Sequence, residues 1–231
     1  MSRITQLHRH LELLSEGEPP RHSLFVLEQE PGQAERLLLI DPPGDVAERF
    51  TLPPQVLTLA TSPGIRVAGQ PVRLTLGQVA HVRVGEHLLD IHARPGRAVV
   101  LFPALGILVG GDFGSDLVLP SLAPGSDGAE ELEVLRLLAR LVKERERLLY
   151  IPRVGSLSED KITVMTRLAE DVAYLHGLRR TVPSGMQRGE GLPALQQATL
   201  ALLPEDRRSP VCVEIHRRNV AILHRVLGEI E

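Results

Sequence analysis

The chain has 231 residues, of which 43% are hydrophobic, and a formal net charge of −3; we therefore expect one sizeable core in a single domain spanning residues 1–231. The slightly acidic net charge excludes a broad basic surface for binding nucleic acid or anionic membranes. The 3% aromatic content excludes a set of stacking residues such as single-stranded nucleic acid needs. The single cysteine, Cys212, excludes an internal disulfide and a cysteine metal cluster, and no apolar run reaches the roughly 18 residues of a spanning helix, so we expect a cytoplasmic protein.

The first part of the sequence predicts β-strands. Residues 3–14 fit either a short helix or an edge strand. The segments 22–29 and 35–41 flank the turn residues 31–33, and this arrangement predicts a β-hairpin. Apolar runs bounded by turn residues predict three further strands, at 56–60, 72–76 and 80–84.

Residues 88–115 form the stretch around which the chain is organised. Short apolar runs alternate there with Gly and Pro, which is typical of three consecutive strands of one sheet. The stretch ends on Asp112, beside Gly111 and Gly114. A side chain at such a strand end faces a crevice, where open α/β layers place their chemistry.

The second half changes to a helical period. Residues 129–148 predict an amphipathic helix and 148–152 a strand. Ser158 is a suitable cap for a second helix that ends at Gly177. Its predicted core face consists of Ile162, Met165, Leu168, Val172 and Leu175. A loop is predicted at 183–191 and helices at 192–203 and 212–230, which together indicate a layered α/β sandwich with helices outside.

The order of these motifs resembles the metallo-β-lactamase superfamily, the glyoxalase-II-like hydrolases in particular, over nearly the whole chain. LLLIDPPG at 37–44 is similar to the family's LID-T-G strand end, and VLTLATSPGIRVAG at 56–69 occupies the place of the metal loop T-H-x-H-x-D-H. Residues 92–112 resemble H-T-P-G-H-T-P-G … LF-x-G-D, and 148–160 resemble the P-G-H-G strand end. The resemblance implies a four-layer αββα sandwich, with C-terminal helices at about 192–231 packed on it.

The resemblance also implies where the family's metal ligands would lie. In chain order, these crevice positions are Thr61, Pro63, Ile65, Arg66, Arg97, Asp112 and Val154. Only Asp112 matches its family ligand. A catalytic zinc ion needs at least three nitrogen, sulfur or carboxylate donors and an open position for water, whereas guanidinium cannot be deprotonated near neutral pH. We therefore expect no zinc, no cofactor and no catalytic residue in this crevice.

The histidines are candidates for a replacement metal site. Those near predicted strands are His8, His10, His81, His87 and His92, and those in predicted helices are His176, His216 and His224. Because His87 and His92 are five residues apart, they would face opposite sides of a strand. We interpret His8 and His10 as part of a solvated face. His81, His87 and His92 are interpreted as partly exposed strand residues, with a relocated metal site as the alternative. The helix histidines are interpreted as solvated helix positions.

Positive charge replaces metal in this crevice if the resemblance holds. We expect an arginine to pair with Asp112, because guanidinium can neutralise a carboxylate through two parallel hydrogen bonds. Arg66, Arg97 and Arg153 could then bind a small anion such as a carboxylate or phosphate. The predicted function is a non-hydrolytic pseudo-enzyme that acts as a binding or interaction module. The alternative is an ester or thioester hydrolase with a single or rearranged metal, and a homo-oligomer or an assembly subunit with an apolar patch at 192–203 also stays open.

Overall fold

The computed structural model describes residues 2–28, 35–53, 55–63 and 70–229. The chain divides into two compact units, the first formed by 1–111 and 145–159 and the second by 112–144 and 160–231. The first unit holds the strands, and the second holds the long helices. The prediction of a single domain over 1–231 stays a prediction.

Six strands form the first sheet. They are β1 (Ser2–His8), β2 (Leu11–Glu16), β3 (Arg21–Glu28), β4 (Arg36–Ile40), β5 (Gln55–Leu59) and β6 (Gln70–Pro71). They lie in this order, antiparallel from β1 to β4 and parallel from β4 to β6. Residues 3–14 therefore lie in the edge strand β1, a turn and the inner strand β2, and not in a helix. The predicted β3–β4 hairpin is confirmed, although its turn at 31–33 lies outside the described residues.

Five strands form the second sheet. They are β7 (Val79–Val84), β8 (His87–Arg94), β9 (Arg97–Phe102), β10 (Ile107–Gly111) and β11 (Leu149–Pro152). The order is β11-β10-β9-β8-β7, and only β10 and β11 run parallel. The three strands predicted within 88–115 are confirmed. The strand predicted at 72–76 is wrong, because β6 pairs with β5 only at Gln70 and Pro71.

The two sheets pack face to face around one hydrophobic core. Alternate residues such as Leu24 and Val26 of β3, and Val100 and Phe102 of β9, point into it, as the two-residue repeat of a strand requires. On the other face of the first sheet, the short helix α1 (Val46–Arg49) and Phe50 cover a smaller apolar cluster. The predicted α/β fold, with two stacked sheets, is confirmed.

The second unit consists mainly of helices. They are α2 (Ala129–Glu144), α3 (Lys161–Gln187), α4 (Leu192–Ala198), a 3-10 turn (Thr199–Leu202) and α5 (Pro210–Gly228). The helices predicted at 129–148, 192–203 and 212–230 are confirmed apart from their ends. Within the described part of the chain, no helix is both long and apolar enough to cross a membrane.

Helix α3 differs from its prediction at both ends. Its cap is Asp160, whose carboxylate accepts hydrogen bonds from the backbone N–H groups of Ile162 and Thr163, so the assignment to Ser158 is wrong. The helix also continues past Gly177. This glycine packs closely against the Leu202 side chain, from which a Cβ at position 177 would be only 2.9 Å away. Consequently most of the predicted loop at 183–191 is helical.

The core face of α3 is also shifted from the predicted one. Ile162 is 77% exposed, whereas Leu168 and Leu175 are buried as expected. The face includes two polar residues, Asp171 and Tyr174, which are both buried. The apolar repeat along α3 does not reveal which polar residues are buried. The sequence prediction therefore included the exposed Ile162 in the core face and left out Asp171 and Tyr174.

An ion pair is fully buried in the second unit. Arg207 Nη1 donates to Asp171 Oδ1 at 2.6 Å, and Arg207 Nη2 donates to Glu170 at 2.8 Å. The other Asp171 oxygen accepts from the Gly114 N–H at 2.7 Å. Burial raises the pKa of Asp171 to about 7, against the opposing effect of the Arg207 charge. These bonds offset the cost of burying two charges.

A second buried network surrounds His216, which the sequence analysis wrongly placed on a solvated helix face. Thr199 Oγ1 donates to Leu195 O, so it accepts from His216 Nε2 at 3.0 Å. His216 Nδ1 therefore accepts from the Tyr174 hydroxyl at 3.2 Å. Burial lowers the pKa of His216, and the two hydrogen bonds are those of a neutral imidazole.

Candidate functional site

The predicted crevice positions in the first unit lie at strand ends. Thr61, Arg97 and Val154 are buried there, and Pro63 is half-buried. Asp112 is a buried residue of the second unit. Two further predicted positions, Ile65 and Arg66, lie outside the described residues.

Two arginines flank the end of β10. The pairing of Val109 with Val100, continued along the strands, places Arg97 at the same sheet edge as the end of β10. On the other side, the Arg153 N–H donates to the Gly111 carbonyl at 2.8 Å. Two strand spacings of about 4.8 Å therefore separate the two arginine backbones, or about 10 Å.

Asp41 fixes the start of the loop that the sequence analysis aligns with the metal loop of the metallo-β-lactamase superfamily. Its carboxylate accepts hydrogen bonds from the Thr61 N–H at 2.7 Å and from the Thr61 hydroxyl. Asp41 itself has a φ of +52°, and the Ser23 hydroxyl donates to its carbonyl at 2.7 Å. Thr61 is therefore held by Asp41 through two donors, and a neutral hydroxyl is a poor ligand for zinc.

Gly111 allows the same loop to lie directly against β10. Its φ is +62°, and a Cβ there would be 2.8 Å from the Thr61 carbonyl oxygen and 2.9 Å from Ser62 Oγ. A side chain at this position would therefore clash with the loop as well as strain the backbone. The loop and the end of β10 are in van der Waals contact at this point.

These residues do not fit a dizinc centre in the first unit. Pro63 and Val154 have no side-chain donor, Arg97 is a permanent cation, and the Thr61 hydroxyl is held by Asp41. That the family's zinc ligands are replaced at these positions stays a prediction from the sequence.

A cavity of about 530 Å³ lies beside Gly155, on the β1–β3 side. His22 Nε2 lies 2.6 Å from the Gly155 carbonyl oxygen, which can only accept, so Nε2 carries the proton. In the neutral imidazole, His22 Nδ1 then accepts from Ser15 Oγ at 2.9 Å. The sequence analysis missed His22, because only the pairing of Ser15 with His22 across β2 and β3 brings these groups together.

A second polar group lies near the β7–β8 turn. His8, Glu86 and His87 place one potential metal-ligand atom each within 4.8 Å of one another, and they are the only such group found among the described residues. The structure makes His87 buried, at 5% exposure, which corrects the interpretation of this histidine as partly exposed. His8 is exposed, as predicted, but it lies close to two other potential metal ligands, Glu86 and His87.

Comparison with known proteins identifies the fold. No family model and no curated protein matches the sequence. A beta-lactamase domain protein from Burkholderia ambifaria is 12% identical over 98% of this chain and 88% of its own, with a TM-score of 0.60. The inverting sec-alkylsulfatase Pisa1 from Pseudomonas sp. is 11% identical over 99% of this chain and 50% of its own, with a TM-score of 0.64. The chain therefore has the fold of the metallo-β-lactamase superfamily.

Proposed function

We propose that this protein is a non-hydrolytic member of its fold class that binds a small anion. The observation that carries the proposal is the state of Thr61, at the first ligand position: its hydroxyl and its N–H both donate to Asp41. A position that holds a metal ligand in the family is thus part of a structural tie between β4 and β5.

The absence of hydrolysis follows from the chemistry of the side chains. Zinc enzymes hydrolyse because the metal lowers the pKa of bound water to about 7. Valine, proline and arginine at the corresponding positions cannot supply the three donors that hold such an ion. Arg97 also brings a positive charge that repels a divalent cation.

Anion binding is supported by the two arginines at the edge of the second sheet. Arg97 is buried and Arg153 half-buried, on either side of the end of β10. Guanidinium binds carboxylate and phosphate through paired hydrogen bonds. The participation of Arg66, and an ion pair of Arg97 with Asp112, are predictions from the sequence.

Thermal unfolding with and without inorganic phosphate tests anion binding. Phosphate should raise the Tm of the protein, and Arg153→Met should remove that rise, as should Arg97→Lys if its paired hydrogen bonds matter. Arg83→Met is the matched control, because Arg83 is an exposed arginine on β7 of the same unit. The control should keep the full rise in Tm. No rise in the unmodified protein, or a rise that survives both site variants, would contradict the proposal.

An activity assay tests the alternative function, a hydrolase with a single or rearranged metal. Zinc-supplemented protein is assayed with a β-lactam, a carboxylic ester and a thioester, beside an Asp112→Ala variant. We expect no turnover above background. Turnover by the unmodified chain that Asp112→Ala abolishes would establish the hydrolase alternative and end the proposal of a pseudo-enzyme.

A further inference from the structure

We infer that His8, Glu86 and His87 form a binding site for one zinc ion, which joins the two sheets of the first unit. His8 is the last residue of β1, and His87 is the first residue of β8. Glu86 lies in the tight turn between β7 and β8, where Gly85 has a φ of +56°. Two imidazoles and a carboxylate are donors that zinc prefers.

The spacing of the donors suits a site that closes around the ion. Glu86 Oε1 lies 3.9 Å from both His8 Nδ1 and His87 Nε2. Ligands at about 2.1 Å in a tetrahedron are about 3.4 Å apart. Each of these two pairs must therefore contract by about 0.5 Å, and the two histidine donors start within 4.8 Å of each other. His8 and Glu86 can move because their side chains are 48% and 42% exposed.

The buried ligand is already oriented. His87 Nε2 lies 2.7 Å from the Arg9 carbonyl oxygen, and a carbonyl only accepts, so Nε2 carries a proton in the metal-free protein. Zinc takes the place of this proton, which moves to Nδ1 of the same ring, so the imidazole stays neutral. Because the Arg9 carbonyl oxygen lies in the direction in which Nε2 would bind the ion, this carbonyl must move aside when zinc binds.

A cavity leaves space on the open side of the group. It has a volume of about 240 Å³ and is lined by His8, Glu86 and His87 together with Leu88, Phe102, Ala104 and Leu105. The His8 and His87 rings pack edge to face, with their centroids 5.4 Å apart. A water molecule or a small ligand can therefore complete the coordination of the ion from the cavity.

The location points to a structural role and separates this site from the proposed anion site. His87 begins β8, whereas the other end of β8 pairs with Arg97. Seven residue steps at about 3.4 Å place the two ends about 24 Å apart. Because His8 belongs to the first sheet and His87 to the second, zinc would link the sheets and stabilise the folded state by mass action.

Calorimetric titration of the full chain with Zn²⁺ tests the inference. We expect one ion per chain, and a loss of at least about tenfold in affinity in His8→Asn and in Glu86→Gln. His81→Asn is the matched control, because His81 is an exposed strand histidine that also contacts a carboxylate, Asp90, at 2.6 Å. The control should bind zinc as tightly as the unmodified protein. Co²⁺ should give the visible absorption of a site with histidine ligands, and Mg²⁺ should not bind.

The change in Tm caused by zinc should follow the same order among the variants as the affinities from the titration. Zinc should raise the Tm of the unmodified chain and of His81→Asn, EDTA should reverse the rise, and His8→Asn should not show it. Since His8 is exposed, its variant tests the site even where His87→Asn fails to fold. No binding, or equal binding by His8→Asn and Glu86→Gln, would overturn the inference. Neither result bears on phosphate binding, which is tested through Arg97 and Arg153.

Discussion

The two units of this protein bury polar side chains in different ways. In the helical unit, Arg207 and Asp171 are fully buried and bonded to each other and to backbone groups. In the sheet unit, His22 and His87 are each oriented by one backbone carbonyl, and each lines a cavity. The difference separates polar residues that stabilise the fold from polar residues that remain accessible to a ligand.

The comparison predicts the largest loss of stability for the buried ion pair. Arg207→Met leaves Asp171 without its cation in an apolar environment, so the free energy of unfolding should fall by about 3–5 kcal/mol. Denaturant unfolding measures it. Arg208→Met is the control, because the neighbouring Arg208 is exposed, and a similar loss there would remove the distinction between the two residues.

The tie between Asp41 and Thr61 should matter less. Thr61→Val keeps the shape of the side chain but removes one hydrogen bond to a buried carboxylate, which costs about 2 kcal/mol. The exposed Thr51 provides the control variant, Thr51→Val. If the stability of Thr61→Val equals that of the control, this edge is not held by Asp41, and the case against a ligand role for Thr61 weakens.

A smaller effect distinguishes the two candidate caps of α3. Asp160→Ala removes the acceptor of two backbone N–H groups, so it should lower the free energy of unfolding by about 1 kcal/mol. Ser158→Ala should have a smaller effect in the same urea titration, since the Ser158 backbone pairs with Tyr150 and this pairing is kept in the variant. The opposite order would restore the cap that the sequence predicts.

The smallest effect is a pH dependence in the helical unit. Because burial holds the pKa of His216 below its ordinary value of 6.5, the unfolded chain takes up a proton below about pH 6.5 while the folded chain does not. The stability advantage of the unmodified protein over His216→Gln should therefore shrink between pH 7.5 and 5.5. Denaturant unfolding of both proteins at the two pH values measures this change, and an unchanged difference would contradict the prediction.

The sequence predicts most of the sheets, because local pattern determines them. The apolar runs of 88–115 and their Gly and Pro turns are enough to define three strands. The same reasoning fails at Gly177. A glycine at this place in the sequence is typical of a helix end, but in the structure Gly177 lies within α3 and packs against Leu202. It also fails at 72–76, where a strand pattern has no partner strand.

The candidate sites were predicted less completely, since they depend on contacts between distant residues. The family resemblance identifies Thr61 and Val154 without showing that Asp41 holds Thr61. Arg207 and His216 look like solvated helix or loop residues, because nothing adjacent in the sequence indicates their buried partners. His8 and His87 are far apart in the chain, and only the stacking of the two sheets brings them together.

The contact between Gly177 and Leu202 couples the sizes of the side chains at these two positions. An alanine at 177 would be tolerated where residue 202 is smaller than leucine, and a glycine at 177 permits the larger side chain. Paired replacement, Gly177→Ala with Leu202→Ala, should therefore be less harmful than the first change alone. Among distant homologues, covariation of these two sites would be the evolutionary record of this helix contact.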